Sequence, residues 1–180
     1  MAGEYYDCHN EVFLSLKAEA RKLLKEYNAL QYEQKEEKRK ILDRLFYEAG
    51  TNVSVAQPFL CDYGYNISIG KGSYVNFNCV FLDLGPIRLG QRCLIGPGVQ
   101  LLTAVHPMNA AERATGKEKG AGIEIGDDCW LGGGVIVLPG VTIGDGSVIG
   151  AGSVVTRDIP AGVVAVGNPC RVVRPVTEAD

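Results

Sequence analysis

Residues 125–160 read, in consecutive groups of six, IGDDCW, LGGGVI, VLPGVT, IGDGSV, IGAGSV and VTRDIP. An aliphatic residue opens every group: Ile125, Leu131, Val137, Ile143, Ile149 and Val155. A helix repeats near 3.6 residues and a strand repeats at 2, so neither explains a period of six. A hexapeptide period with glycine beside the aliphatic residue is typical of a parallel β-helix, in which each group forms one flat side and one corner. The pattern therefore predicts a mainly β fold of stacked coils.

The fifth position of each group indicates a crowded interior corner. In the first five groups it holds small or β-branched residues: Cys129, Val135, Val141, Ser147 and Ser153. The same spacing starts upstream near Ile67 and slips by two residues near 87–89. One stretch, 103–122, carries no hexapeptide phase although it lies between two well-phased stretches. We therefore expect an inserted loop at 103–122.

The composition is that of one modest domain. The chain has 180 residues, of which 46% are hydrophobic, and a formal net charge of −3. This charge gives no reason to expect nucleic acid or an anionic membrane as a partner. No signal peptide and no membrane-spanning stretch is visible, so we expect a cytoplasmic protein. The six cysteines are interpreted as reduced, because no secretory signal accompanies them.

The N-terminal part of the chain predicts two helices. An apolar series with helical spacing starts at Val12, and Asn10 is a candidate N-cap. A second series follows a charged stretch, and Gly50 is placed to end that helix. We therefore divide the chain into a helical segment at 1–55 and a β-helix at 56–180, which ends in a short tail.

Five segments carry a resemblance to a known family. They are AGEYY at 2–6, CDYGYN at 61–66, NFN at 76–78 with Asp83 beyond it, TAVHP at 103–107 and GNPCR at 167–171. In this order they are similar to the maltose O-acetyltransferase and galactoside acetyltransferase group. The resemblance implies a left-handed parallel β-helix, a homotrimer, acetyl-CoA as co-substrate and a sugar hydroxyl as acceptor. The handedness rests on this resemblance alone, since parallel crossovers are usually right-handed.

The chemistry of acetyl transfer points to a histidine. A hydroxyl must lose its proton as it attacks a thioester, and imidazole is the side chain that ordinarily titrates nearest neutral pH. Of the two histidines in the chain, His9 lies in a polar stretch and is interpreted as exposed to solvent. His106 opens the inserted loop, where a catalytic role and a hydrogen-bonded structural role are equally compatible with the residues alone. Its match to the family's catalytic histidine implies that it is the general base.

The family pattern also nominates contacts to the acceptor. It assigns to Asn76 a polar contact with the acceptor or the reacting acetyl group, since an amide both donates and accepts hydrogen bonds. Asp62 and Asp83 are the carboxylates placed to bind sugar hydroxyls, and Asp83 is alternatively the group that orients the histidine. Cys8 is a departure, because the galactoside enzymes have an aspartate there, and Asp7 lies one residue earlier. This departure argues mildly against a galactoside acceptor.

The donor is expected to lie in a groove along the stacked coils. Glycine and alanine keep such a groove free of bulky side chains and expose backbone groups to an extended pantetheine arm. Trp130 falls where the family places an aromatic residue against coenzyme A, and arginine suits phosphate oxygens. The expected contacts to the coenzyme are Trp130, Gly133, Ala151, Thr156, Arg157, Arg171 and Arg174.

Several alternatives stay open at this point. A β-helix carbonic anhydrase would need three histidine ligands for one metal, and only His106 lies outside the N-terminal arm, so we expect no metal. A non-catalytic scaffold is possible because repeat folds also serve as platforms. If the protein is an enzyme, the acceptor is a maltose- or glucose-type sugar, or alternatively a galactoside, a nodulation-type oligosaccharide or a cell-surface glycan. In the expected homotrimer, the loop at 103–122 would reach a neighbouring chain, so that two chains build each active site.

Overall fold

The polypeptide winds into a parallel β-helix. A computed structural model describes residues 6–7 and 10–179. About six coils follow one another, and each complete coil contributes one short strand to each of three sheets. This architecture confirms the stacked coils that the hexapeptide repeat predicted.

A strand in each sheet pairs with strands one coil away, and the strands are numbered in chain order. The first sheet contains β2 (Glu48–Ala49), β5 (Ile67–Ile69), β8 (Ile87–Leu89), β13 (Ile123–Ile125) and β16 (Thr142–Ile143). The second contains β3 (Ser54–Val55), β6 (Tyr74–Val75), β9 (Leu94–Ile95), β14 (Trp130–Leu131), β17 (Val148–Ile149), β19 (Val163–Val166) and the antiparallel end strand β20 (Arg171–Pro175). The third contains β4 (Phe59–Cys61), β7 (Cys79–Leu82), β10 (Gln100–Leu102), β15 (Ile136–Val137) and β18 (Val154–Val155).

The core lies inside the coils. The aliphatic residues of the repeat are buried, and so are the three corner cysteines Cys79, Cys93 and Cys129. Their thiols contact backbone carbonyls of the next coil, as Cys129 Sγ does with the carbonyl of Gly144 at 3.2 Å. Burial raises the pKa of the Cys79 and Cys129 thiols to about 11. These cysteines therefore act as small, protonated hydrophobic residues, as the interior corner position predicted.

The corner between the third sheet and the first sheet of the next coil departs from the hexapeptide spacing. Equivalent positions on the two strands that flank this corner are eight residues apart, as 61 and 69 are in one coil and 81 and 89 in the next. At the other corners the corresponding distance is six residues. The longer distance accounts for the two-residue slip. In the following coil the same corner carries the insertion, so one edge of the β-helix holds extra chain in three successive coils. We call it the loop edge.

The insertion folds into a small sheet. It leaves the coil after β10 and contains β11 (Ala104–Val105), the short helix α3 (Ala110–Arg113) and β12 (Lys117–Gly120). β11 pairs antiparallel with β12, and β1 (Tyr6–Asp7) pairs antiparallel with the other side of β12. The N-terminal arm therefore reinforces the inserted loop.

Two helices close the open end of the β-helix. They are α1 (Glu11–Ala29) and α2 (Lys35–Leu45), which confirms the two helices that the sequence predicted. The Asn10 side chain accepts a backbone hydrogen bond at 2.9 Å and so caps α1 as expected. The Tyr27 hydroxyl donates to the carbonyl of Val55, which ties α1 to the first coil.

The first coil starts earlier than the sequence indicated. Its first strand begins at Glu48, inside the segment assigned to helices, and α2 ends at Leu45. A Cβ atom at Gly50 would lie 2.6 Å from the backbone nitrogen of Lys71 in the next coil. Gly50 therefore permits close stacking of two coils, and the prediction that it ends a helix is wrong.

Candidate active site

A groove runs across the outer face of the second sheet. Its floor is a row of outward-pointing side chains in register on neighbouring strands: Tyr74, Leu94, Trp130 and Val148. It encloses about 470 Å³ and reaches the corner between the second and third sheets. Asn76, Gly133 and Ala151 lie at that corner and line the groove together with Trp130. The structure thus brings four of the expected site residues together.

Glycine shapes the wall of the groove. A Cβ atom at Gly132 would lie 2.6 Å from the backbone nitrogen of Ala151, so only glycine allows the coils to stack this closely. Gly134 has φ +69°, which favours glycine, and nothing lies within 4 Å of where its Cβ would be. The corner is therefore smooth, and an extended ligand can approach the backbone.

The same row of outward positions continues to two arginines. Val148 pairs with Val164, and Val164 pairs with Arg174 on β20, the strand that also carries Arg171. Both arginines are exposed. Trp130 and Arg174 are three strand spacings apart, or about 14 Å. The arginines therefore lie at one end of the face whose other end holds Asn76.

Asn76 has a fixed orientation. Its Oδ1 accepts hydrogen bonds from the backbone N–H of Phe77 at 2.8 Å and from the Tyr74 hydroxyl at 3.2 Å. Because both donors face the oxygen, the group that Asn76 offers to a ligand is its Nδ2 amide. Such an amide can donate to an oxygen that gains negative charge.

His106 follows β11, and its imidazole faces a carboxylate. Its Nε2 lies 3.9 Å from Oε2 of Glu118 on the paired strand β12. The His106 side chain is 54% exposed, whereas that of Glu118 is only 9% exposed. The Arg113 guanidinium donates to the carbonyls of Pro107 and Met108 at 3.0 Å each, which fixes the chain after the histidine. The arrangement places an accessible imidazole beside a largely buried carboxyl group.

Asp83 is a buried anchor of the loop edge. Its side chain is fully buried, and Oδ1 accepts hydrogen bonds from the backbone N–H groups of Asp62 and Tyr63 at 3.0 and 2.9 Å. Burial raises the pKa of this carboxyl to about 6. The expected sugar contact is not supported, because the carboxylate faces backbone inside the fold. Orientation of His106 is not supported either, since the carboxylate beside that imidazole belongs to Glu118. We therefore assign Asp83 a structural role.

Asp62 is accessible at the same edge. Its carboxylate is 23% exposed and lies 3.7 Å from the ammonium group of Lys17. That ammonium also lies 5.1 Å from the centroid of the Tyr63 ring. Asp62 thus remains available to a polar ligand, beside a cation that the sequence did not single out.

The expected site residues fall on two edges of the coil. His106 follows β10 and β11, and Thr156 and Arg157 follow β18, so all three belong to the loop edge. None of them lines the groove of its own chain. The width of the third sheet separates the loop edge from the corner that carries Asn76. One chain alone therefore does not bring the two sets together.

Sequence reasoning missed Glu118 and Tyr74. Glu118 is one of several charged residues in a loop, and only its burial on β12 distinguishes it. Tyr74 occupies an outward strand position two residues before Asn76, and this spacing could have indicated that the two side chains lie close together. Cys8 and His9 lie outside the described residues, as does the side chain of Asp7.

Two further findings bear on function. Within residues 6–7 and 10–179, no group of three or more histidine, cysteine, aspartate or glutamate side chains could hold a metal ion. No helix in this part of the chain is long and apolar enough to cross a membrane.

The family models place the chain among the hexapeptide-repeat transferases. Residues 122–157 match the family described as bacterial transferase hexapeptide (six repeats). Residues 1–50 match the maltose acetyltransferase hexapeptide capping motif.

Solved structures of similar proteins superpose on nearly the whole chain. A maltose O-acetyltransferase from Clostridium difficile is 44% identical with a TM-score of 0.96, over 98% of this chain and 95% of that one. A galactoside acetyltransferase in complex with coenzyme A is 38% identical with a TM-score of 0.96, over 99% and 90%. A hexapeptide-repeat acetyltransferase from Vibrio cholerae, complexed with acetyl coenzyme A, is 35% identical with a TM-score of 0.92, over 99% and 96%.

The chain belongs to the maltose O-acetyltransferase and galactoside acetyltransferase family of hexapeptide-repeat enzymes. This confirms the resemblance inferred from the five sequence segments and the expected enzyme class, an acetyltransferase. The coenzyme A and acetyl-CoA complexes of two relatives agree with the expected co-substrate.

Proposed function

We propose that the protein transfers the acetyl group of acetyl-CoA to a hydroxyl of a maltose- or glucose-type sugar. The observation that carries this proposal is the groove with Asn76 at one end and the two arginines of β20 beyond the other. Acetyl-CoA is an extended thioester with an anionic nucleotide at its far end, so its two ends match the two ends of the groove. Its phosphates would contact Arg171 and Arg174, its pantetheine arm would cross Trp130, and its acetyl group would lie at Asn76.

The catalytic histidine would come from a second chain. The groove and the loop edge lie on different corners of one coil, so a closed ring of three chains can bring the loop edge of one chain to the groove of the next. The same contact would place Thr156 and Arg157 beside the donor. Light scattering at assay concentration tests this homotrimer: a mass near three times 19.3 kDa supports it, and a fully active monomer contradicts it.

In the proposed reaction, His106 is the general base. A ring nitrogen accepts the proton of the acceptor hydroxyl while that oxygen attacks the thioester carbonyl carbon. Asn76 Nδ2 donates to the carbonyl oxygen as its negative charge grows, and Glu118 stabilises the imidazolium that forms. The carbon–sulfur bond then breaks, and the proton passes from the imidazolium to the sulfur. The products are the acetyl ester and coenzyme A thiol.

The described thiols support direct transfer without an acetylated enzyme. Cys79, the cysteine nearest to Asn76 in sequence, is fully buried, and burial raises its pKa to about 11. Burial also raises the pKa of the Cys61 thiol well above its ordinary value. A thiol acts as a nucleophile in its thiolate form, so these protonated groups do not suit that role.

An acceptor panel tests the proposed activity. The protein is incubated with acetyl-CoA and glucose, maltose, galactosides or nodulation-type oligosaccharides, and the release of free thiol is followed. We expect release above the acceptor-free rate, fastest with maltose or glucose; a galactoside is the second candidate because of the likeness to galactoside acetyltransferase. Thiol release at the acceptor-free rate with every acceptor would contradict the proposal and favour a scaffold.

Cell fractionation tests the expected cytoplasmic location.

A further inference from the structure

A second cleft opens beside the groove, between the N-terminal helices and the first coil. It encloses about 500 Å³. Tyr74 lines both the cleft and the groove, and Ser54 in the cleft pairs in register with Tyr74. The cleft therefore continues the groove past Asn76, on the side away from the arginines. We call it the helix cleft.

Positively charged side chains line the helix cleft, although the chain has a net charge of −3. Lys35, Lys38 and Arg39 lie along it, whereas no described aspartate or glutamate does. The Arg39 guanidinium is already engaged, because it donates to the carbonyls of Ala49 and Gly50 at 2.6 Å each. The two lysines are therefore the charges that a ligand would meet.

Both lysines lie beside the ring of Tyr32, which also lines the cleft. Their ammonium groups lie 5.9 Å (Lys35) and 5.7 Å (Lys38) from the centroid of the Tyr32 ring. Among the ion pairs of the described residues, none involves either lysine. Two neighbouring cations without a carboxylate partner attract an anion.

Hydrogen bonds within the protein form the floor of the cleft. The side-chain amide of Gln57 donates to the carbonyls of Tyr27 and Leu30, and the Tyr27 hydroxyl donates to the carbonyl of Val55. These bonds connect the end of α1 to the first coil, and Tyr27, Val55 and Gln57 all line the cleft. A preformed cleft loses less entropy on binding than a flexible surface does.

We propose that the helix cleft is an acceptor subsite that takes an anionic group, a carboxylate or a phosphate, on a sugar unit beyond the one that is acetylated. One strand spacing, about 4.8 Å, separates Tyr74 from Ser54. A second or third sugar unit that extends from Asn76 past Tyr74 therefore enters the cleft and presents its anion to Lys35 and Lys38. This subsite rests on the proposed sugar acetyltransferase function.

The test compares matched acceptors on the full-length protein. Maltotriose, a trisaccharide of the same length ending in a uronic acid, and a maltotriose phosphate are each assayed with acetyl-CoA. We expect kcat/KM to be about tenfold higher for the charged acceptors, in keeping with one charge-assisted hydrogen bond. The double substitution Lys35→Gln, Lys38→Gln should remove this preference, and the control Lys22→Gln, Lys25→Gln on the exposed face of α1 should keep it. A preference for only one of the two anions identifies the anionic group.

Equal kcat/KM for charged and neutral acceptors, or a preference that survives in the cleft variant, overturns the subsite. If no sugar is acetylated at all, the proposed function fails and binding is measured instead. Calorimetric titration of the uronic acid trisaccharide is then carried out in the presence of coenzyme A. Tighter binding to the unsubstituted protein than to the cleft variant supports the subsite, and equal affinities overturn it.

Discussion

The imidazole Nε2 of His106 lies 3.9 Å from the carboxylate Oε2 of Glu118 across the β11–β12 hairpin. At this distance the two groups form an ion pair once the imidazole is protonated. In the proposed reaction, a positive charge develops on the imidazole as it takes the proton of the acceptor. A carboxylate at this distance would then stabilise the transition state more than the bound substrates, so we expect its loss to lower kcat rather than affinity.

Glu118→Gln preserves the size of the side chain and removes its charge. We expect kcat to fall about tenfold, which corresponds to about 1.4 kcal/mol of transition-state stabilisation, with KM for acetyl-CoA unchanged. Steady-state kinetics with both substrates varied measure this. Glu112→Gln, an exposed charge in α3 of the same loop, is the matched control. A variant with wild-type kcat, or one that loses only affinity, contradicts the proposed stabilisation of the imidazolium by Glu118.

His106→Asn removes the proposed general base and keeps some hydrogen bonding. We expect kcat to fall by about 10²–10⁴, the usual contribution of a general base. Affinity for coenzyme A should stay nearly unchanged, because the proposed contacts to its phosphates and pantetheine arm come from Arg171, Arg174 and Trp130. Turnover and calorimetric titration of coenzyme A together make the comparison. More than about a third of wild-type turnover would show that the proton goes to another group.

Arg171→Ala and Arg174→Ala test the donor end of the groove. Each should raise KM for acetyl-CoA by about ten- to a hundredfold, because a charge-assisted hydrogen bond contributes about 1.5–3 kcal/mol. KM for the sugar should change much less. Arg21→Ala, an exposed position on α1, is the control. Weaker sugar binding with unchanged acetyl-CoA affinity would mean that the two ends of the site are reversed.

The buried carboxyl of Asp83 makes stability depend on pH. Its pKa is raised from 3.8 to about 6 in the folded protein by burial. The folded state therefore binds this proton more tightly than the unfolded state does. The resulting stability is present below pH 4 and is lost as the pH rises to about 6. The shift corresponds to about 3 kcal/mol.

Asp83→Asn cannot titrate, and its amide oxygen can still accept the backbone hydrogen bonds of Oδ1. Relative to Asp83→Asn, the unsubstituted protein should lose about 2 kcal/mol of unfolding free energy between pH 4 and pH 7, because the unfolded carboxyl is already partly ionised at pH 4. Urea unfolding at both pH values measures the difference. The exposed Glu26→Gln should behave like the unsubstituted protein. The same pH dependence with and without Asp83 would contradict the raised pKa.

The coils and their core were predictable from the sequence, because a period of six imposes the same inward position on every coil. Ile125, Leu131 and Val137 illustrate this, as each is buried on a different sheet. The groove was predictable for the same reason. The family pattern nominated Asn76 and Trp130, and the regular coil places both on one face.

The loop edge was less predictable, because its contacts are specific rather than periodic. Asp83 resembles an exposed sugar-binding carboxylate in sequence, yet its partners are backbone N–H groups about one coil away. Glu118 lies in the charged run 117–119, and it is buried where β12 pairs with the distant strand β1. Gly50 resembles a helix end, whereas the backbone of the next coil requires glycine there.

We propose that His106 of one chain acts at the groove of a neighbouring chain. Co-expression of two variants that should each be inactive, His106→Ala and Asn76→Ala, distinguishes a shared site from a site within one chain. In mixed trimers, some interfaces combine the intact His106 of one variant with the intact Asn76 of the other, and random assembly predicts that about a quarter of the sites are complete. Recovery of about a quarter of wild-type thiol release in the co-expressed protein, with neither variant active alone, is the expected result. Mixed trimers that form, as shown by two different affinity tags, but stay as inactive as the single variants would contradict a site shared between chains.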